Sequence, residues 1–528
     1  MFELSIKGEV DYLDNVLMYS NISDLLNIQA NKLPNREAIY DEKRRMTYAQ
    51  LDREVTKLAQ GLIDIGVKSG DRVAVALINS NEYVISIFAI ARVGAIVVPL
   101  NPFFSKGESS YIVAQTGAKV LICGEASFYS EFRQEIESLE TLISVGFQAE
   151  EYLYYDDLLV GNKFEDVRVE PTENLLLIMF TSGTTGRPKG TMLTHKNVLF
   201  TSGSAAIVME CTEDDVFLMP NPLFHIMGIG FLVRSILCGG KLVVMRKYSV
   251  TKALALIESE KVTVHPGVPT MFILELNSSD FDKYDLSSLR TGEMAAAPCP
   301  VEVVKKIRTK MNCNILIAYG LTETSATLTI TGFDEDDILR SETVGRPIPG
   351  VDLKVVDENR QECKTGEIGE LACKGPGVTK GYYNQPAETA QAFDQEGWFY
   401  TGDMATIDEN GYVRIVGRKK EMIIKGGYNI YPRELEEALH QHPAILEAAV
   451  IGLPDEIFGE ITCACVVLRE EMACNEEELL AFMQERFVKY KIPDKFLFLD
   501  KLPVTASGKI SKIKLKEQLN NYNHLFTP

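Results

Sequence analysis

The sequence predicts an α/β fold: a large N-terminal domain of layered mixed sheets with packed helices, then a small C-terminal α+β domain. Three observations predict it. Short β-branched runs alternate with amphipathic helical stretches up to about residue 400, the pattern of largely buried parallel sheets. A chain of 528 residues is too long for one compact core. The texture then changes near residue 410, where a polar, cationic joint follows a strand-like run.

The elements justify themselves in order. Arg72-Val-Ala-Val-Ala-Leu77 and Ala118-Lys-Val-Leu-Ile-Cys123 are strand-like, mostly apolar runs, and Asn81 to Arg92 between them has helical periodicity. The most hydrophobic stretch, Tyr83 to Leu100, contains Arg92, Gly94 and Pro99. It reads as a buried helix followed by the strand Ala95-Ile-Val-Val98, not as a membrane span. Leu175-Leu-Leu-Ile-Met179 and Asn314-Ile-Leu-Ile-Ala318 are further buried strands, each running into a loop rich in Gly and Thr. Gly411-Tyr-Val-Arg-Ile-Val416 is a strand, Gly417 to Glu421 is polar, and a Gly-Gly turn precedes a helix over Arg433 to His440. The expected domains are 1–418 and 419–528, the second within the usual size range.

Composition bounds the partners. With 46% hydrophobic and 24% charged residues the chain is a globular protein. A net charge of −20 argues against nucleic acid and against an anionic membrane surface, both polyanions. Anionic substrates must then be held by local cations and backbone N–H groups, and Lys501 to Lys516 is such a basic stretch. The ten cysteines include no Cys-x-x-Cys pair, and Cys463 and Cys465 would share one face of a strand. Reduced thiols in a cytoplasmic protein are expected. No signal peptide or integral membrane segment is expected, and oligomeric state is not legible, a homodimer being left open.

The segments that carry chemistry are specific. Phe180-Thr-Ser-Gly-Thr-Thr-Gly-Arg-Pro-Lys-Gly190 follows a strand and offers N–H groups and hydroxyls to a phosphate; Pro188 before Lys189 excludes a Walker loop. Asn221-Pro-Leu-Phe-His-Ile-Met-Gly228 sets His225 among apolar residues, where a lone histidine is more often a core residue than a catalyst. Tyr319-Gly-Leu-Thr-Glu-Thr324 puts a carboxylate beside hydroxyls at a strand end, a donor set that suits Mg²⁺. Gly397-Trp-Phe-Tyr-Thr-Gly-Asp403, Gly417-Arg-Lys-Lys-Glu-Met-Ile-Ile-Lys-Gly-Gly-Tyr-Asn-Ile-Tyr-Pro432 and Pro503-Val-Thr-Ala-Ser-Gly-Lys-Ile510 complete the set.

Together these strings resemble the adenylate-forming superfamily of acyl-CoA synthetases, aryl-CoA ligases, nonribosomal adenylation domains and luciferase, closest in texture to bacterial medium- and long-chain fatty-acyl-CoA synthetases. The resemblance covers nearly the whole chain, including Val98-Pro-Leu-Asn-Pro102, Gly267-Val-Pro-Thr270 and Val344-Gly-Arg-Pro-Ile-Pro-Gly350. It implies that ATP and Mg²⁺ activate a carboxylic acid to acyl-AMP, and that the thiol of CoA then takes the acyl group. Thr181, Ser182, Gly183, Thr184, Thr185 and Lys189 would hold phosphates, with Thr184 and Glu323 on the metal. Thr322 would meet the α-phosphate, Tyr319 and Gly320 the adenine, Ala296 and Ala297 the floor shared by adenine and acyl head, and His225 the acyl mouth. Asp403 and Arg418 would bind ribose, Lys420 would be the hinge of a mobile C-terminal domain, and Gly426 and Gly427 would line the path of the thiol. Lys509 would bridge the carboxylate and α-phosphate.

One departure stands out. Thr291-Gly-Glu-Met-Ala-Ala-Ala-Pro-Cys-Pro300 has Ala296 where the family carries Gly, and Glu293 brings a charge to an apolar region. The bland expectation is repacking by one methyl; the alternative is a shorter or functionalised acyl chain. An aryl-CoA ligase, an adenylation enzyme loading a carrier protein in trans, and a silent ligand-binding homologue are the rival functions.

Overall fold

The computed structural model describes residues 16, 21–124, 129–159, 174–181, 188–297, 300–469, 472–504 and 510–521. They fall into two compact units, Met1–Leu353 with Cys373–Phe399, and Lys354–Ala372 with Tyr400–Pro528.

The first unit is α/β, as expected. A seven-stranded sheet runs in the order Leu153–Tyr154, Thr141–Ser144, Val120–Cys123, Arg72–Ala76, Ile96–Pro99, Leu175–Thr181 (β1), Lys189–Thr194 (β2), and only the last pairing is antiparallel. Alternation along its central strand feeds two cores: Val73 and Val75 enter one, Ala74 and Ala76 the other. The helix Asn81–Val93 is buried over nearly its whole surface and ends at Gly94, whose φ of 76° gives the left-handed C-cap. The apolar stretch thus resolves into helix, glycine stop and strand.

A second sheet pairs Val216–Met219, Lys241–Val244, Glu37–Tyr40 and Arg45–Thr47. Between the first two strands runs the helix Ile226–Cys238 (α1), which starts at His225 and stops at Gly239 with φ 77°. Val264 bridges Phe217 on one side and Thr291 on the other, joining this sheet to a third. That third sheet contains Thr291–Met294 (β3), Asn314–Tyr319 (β4), Thr329–Ile330 and Arg346–Pro347.

The second unit is α+β. One sheet orders Asp352–Val356, Gly369–Lys374, Phe399–Ile407 (β5) and Val413–Arg418 (β6). The other contains Tyr428–Ile430, Ile423–Lys425, Gly459–Leu468 and Ile445–Asp455, with Lys495–Phe498 added in parallel to Gly459–Leu468. The helix Pro432–His440 buries Leu435, Ala438 and Leu439 in a core shared with Leu479 and Met483 of Glu476–Gln484. Cys463 and Cys465 enter one core cluster, so they do face the same side of their strand. The 418/419 position lies inside this unit, at the end of β6 between its two sheets, because the unit also takes in Lys354–Ala372 and the chain from Tyr400.

Candidate active site

Two hydrogen-bonded strand ends carry the Gly/Ser/Thr-rich loop. β1 and β2 are in register as Phe180 with Gly190 and Thr181 with Lys189, so the first and last of the expected phosphate-loop residues are direct neighbours. Ser182, Gly183, Thr184 and Thr185 lie outside the described residues. Lys189 extends over the ring of Tyr382, with Nζ 4.9 Å from its centroid. The Tyr382 hydroxyl donates to Glu323 Oε1 at 3.1 Å. Thr379 N–H donates to the Glu323 carbonyl at 2.8 Å, and Tyr383 N–H to the Gly190 carbonyl at 2.8 Å. The segment 379–383 therefore fastens the start of β2 to Glu323. Burial, then the Glu323 charge, push the Tyr382 phenol up, so it remains a donor at neutral pH.

Glu323 sits on a single 3-10 turn, Thr322–Thr324, just beyond β4. Leu321 N–H donates to Thr324 Oγ1 at 2.9 Å, and Ser325 and Ala326 reverse the chain with φ 58° and 94°. Leu328 N–H then returns to the Tyr319 carbonyl at 2.8 Å. A Cβ on Gly320 would stand 1.6 Å from the Ala326 carbonyl oxygen, which fixes glycine there by contact alone. Tyr319, Gly320 and Thr322 are half-buried beside it.

Ala296 and Ala297 follow β3 and are exposed. Ala296 has φ 75°, so the residue the family fills with Gly is in left-handed backbone here. The departure costs conformation rather than repacking by one methyl. The charge of Glu293 does not stand alone in an apolar region either: Arg234 of α1 pairs with it at 2.8 Å. His225, the N-cap residue of α1, makes no side-chain cap, and its ring lies 4.9 Å from that of Phe224, tilted by 56°.

In the second unit, Asp403 and Arg418 are opposed on β5 and β6, with Arg418 Nε 2.7 Å from Asp403 Oδ1. Asp403 is buried and Arg418 exposed. Lys420 is exposed on the turn Lys419–Glu421. Gly426 and Gly427 form the two-residue turn of a hairpin that pairs Lys425 with Tyr428, and both have positive φ, 57° and 84°. A Cβ on Gly427 would meet nothing within 4 Å, so the turn geometry itself calls for glycine there. Lys509 lies outside the described residues.

Among the described residues no three of His, Cys, Asp and Glu gather as a metal cage. A single carboxylate such as Glu323 still fits Mg²⁺, which commonly takes one or two protein carboxylates and completes its shell with phosphate and water.

The AMP-binding enzyme model matches residues 26–383, and the AMP-binding enzyme C-terminal domain matches 434–509. The chain belongs to the AMP-binding enzyme family. It is 38% identical to YngI of Bacillus subtilis (strain 168), provisionally named an acyl-CoA synthetase, over 95% of this chain and 97% of that protein. It is 35% identical to the mitochondrial medium-chain acyl-CoA ligase ACSF2 of Macaca fascicularis, over 97% and 89%. Among solved structures, ATP-bound MatB from Rhodopseudomonas palustris superposes with a TM-score of 0.87 at 30% identity, covering 95% of this chain and 99% of that one. No helix among the described residues is long and apolar enough to cross a membrane.

Two residues of this AMP-binding enzyme escaped the sequence analysis. Tyr382 carried a weak signal, the Gly381-Tyr-Tyr383 string, and its partner Glu323 is 59 positions away. Arg234 carried a stronger one: it is the lone charge in the thirteen-residue apolar helix α1.

Proposed function

We propose that this enzyme activates a medium- or long-chain fatty acid with ATP to an acyl-AMP and passes the acyl group to CoA, releasing AMP and pyrophosphate. The observation that carries this is the Lys189–Tyr382–Glu323 arrangement at the base of the phosphate loop. It keeps a cation beside the loop and a carboxylate held by a neutral donor. The acid is already ionised at neutral pH, so its oxygen attacks the α-phosphorus without a general base. Catalysis is positioning together with stabilisation of charge in the transition state.

Bound Mg²⁺ supplies charge neutralisation on the phosphates, and Glu323 and Thr184 are the residues that would hold it. Thr181 to Thr185 and Lys189 bind phosphates, Thr322 meets the α-phosphate, and Tyr319, Gly320, Ala296 and Ala297 receive adenine and the acyl head. Asp403 accepts from the ribose hydroxyls, Arg418 orients that carboxylate, and Lys509 bridges the two reacting anions. Residues 419–528 act as a mobile domain hinged at Lys420, and the Gly426–Gly427 turn lies along the path of the CoA thiol.

The test is pyrophosphate–ATP exchange over a panel of aliphatic and aromatic acids, followed by AMP release with and without CoA. Exchange with aliphatic acids and CoA-dependent turnover are expected. Exchange with aromatic acids alone supports an aryl-CoA ligase, turnover only with a carrier protein supports loading in trans, and no exchange with any acid overturns the reading.

A further inference from the structure

Lys512 opens the helix Lys512–Asn521, whose Leu515 and Leu519 share a core with Ile451 and Cys465. Its ammonium reaches two carboxylates, Glu421 Oε2 at 2.7 Å and Glu436 Oε1 at 2.8 Å. The first lies on the turn Lys419–Glu421, the second on the helix Pro432–His440. Burial works against the cation, but the Glu436 and Glu421 charges outweigh it and hold the ammonium protonated.

The two arms differ in kind. The Glu436 side chain is 17% exposed, and the same oxygen accepts the Val450 N–H at 2.7 Å. This arm joins helix, strand and tail within one body. The Glu421 side chain is 39% exposed, and an ion pair so open to water adds little to stability. What it supplies is a connection. Glu421 follows Lys420, the hinge of the function proposed above, and Lys512 stands three residues after Lys509. The span carrying Lys509 leaves from Val504 and returns at Ile510, two residues bridged antiparallel. Ser511 N–H then donates to the Pro503 carbonyl at 2.7 Å. The base of that span is therefore closed, and Lys512 ties it to the residue after the hinge.

We propose that Lys512 is a positioning residue for acyl-AMP formation. Through Glu421 it fixes the base of the Lys509 span to the hinge turn, so that Lys509 keeps one pose as the domain turns about Lys420. This rests on the carboxylate-activating function above, with Lys509 and Lys420 in the roles given there. Loosening the base costs the step that needs Lys509 and spares the step that does not.

The test compares Glu421→Gln with Glu436→Gln, each of which takes one carboxylate charge from Lys512. Three readouts are used: pyrophosphate–ATP exchange with the best acid of the panel, thioester formation from that acid's acyl-AMP and CoA, and urea unfolding. Glu421→Gln should lower the maximal exchange rate by about tenfold, since a misplacement near 1 Å can cost about a hundredfold. Its half-saturation by ATP and its thioester formation should stay within about twofold of wild type. Glu436→Gln should keep exchange within about twofold of wild type and lower the unfolding midpoint more than Glu421→Gln does. Lys512→Met should reproduce the exchange loss, and Lys512→Arg, whose guanidinium can meet both carboxylates, should recover most of it.

Equal exchange losses in the two glutamate variants mean that Lys512 only braces the fold, and overturn the proposal. A loss in Glu421→Gln that thioester formation shares, or no loss at all, overturns it too. If Lys512→Met does not fold, the glutamate variants decide alone. A wild type without exchange for any acid, or exchange that survives Lys509→Ala, instead overturns the role of Lys509 itself, and the positioning with it.

Discussion

Replacing Tyr382 by Phe removes one oxygen from the centre of the candidate site and little else. The ring remains, so Lys189 keeps its place 4.9 Å above it, while Glu323 loses the donor at 3.1 Å. A hydrogen bond to a charged group contributes about 1.5–3 kcal/mol when well formed; this one is near the long end and half-buried, so about 1.5 kcal/mol is expected. Spent on the orientation of the Glu323 carboxylate, that weakens metal retention by about tenfold. The assay is the Mg²⁺ dependence of pyrophosphate–ATP exchange, with Mn²⁺ binding in the presence of ATP followed by electron paramagnetic resonance. Half-saturation by metal should rise about tenfold in Tyr382→Phe, with thermal unfolding shifted only slightly. Tyr382→Leu, which removes the ring as well, should be worse on nucleotide affinity too. If Tyr382→Phe matches the wild type in both metal readouts, the hydroxyl does not position Glu323 and the reasoning fails.

Three further outcomes follow from the geometry. Gly320→Ala drives a Cβ to 1.6 Å from the Ala326 carbonyl oxygen; the Ser325–Ala326 turn must move, costing about 3 kcal/mol in urea unfolding and most of the exchange activity. Ala296→Gly relieves the left-handed backbone at φ 75° and should stabilise the protein by about 1 kcal/mol, measured by the same unfolding midpoint. His195, at the start of the helix His195–Val208, is pushed down to about 4 by burial. Its neutral form is favoured on folding, so its contribution is complete above pH 6.5 and lost as pH falls toward 4, up to about 3 kcal/mol. His195→Asn should flatten the pH dependence of stability in that window.

Much of the fold was legible because local rules sufficed. The run from Tyr83 to Leu100 resolved correctly into helix and strand, since Gly94 and Pro99 punctuate it. The strands before the Gly/Thr-rich loops were visible as uninterrupted apolar runs. What stayed hidden was tertiary. Tyr382 matters through a partner in another segment, and its own neighbourhood marks it only weakly. Arg234 and Glu293 each broke an apolar pattern, and only one was noticed; two opposite charges isolated in apolar elements predict each other, because neither tolerates burial unpaired. The structural demands on the motif glycines differ: Gly320 is fixed by a carbonyl oxygen, Gly426 and Gly427 by a hairpin turn.

The pairing of Thr181 with Lys189 has a consequence for evolution and for design. Thr181 and Lys189 are direct neighbours on two strands that the sheet already holds in register, so closing the span between them adds little chain entropy to the folding problem. Composition inside the span is thereby released from any duty to stabilise the domain. Grafts that swap those positions for other small polar residues should alter which anion is gripped, and how fast it leaves, while the sheet around them melts at an unchanged temperature.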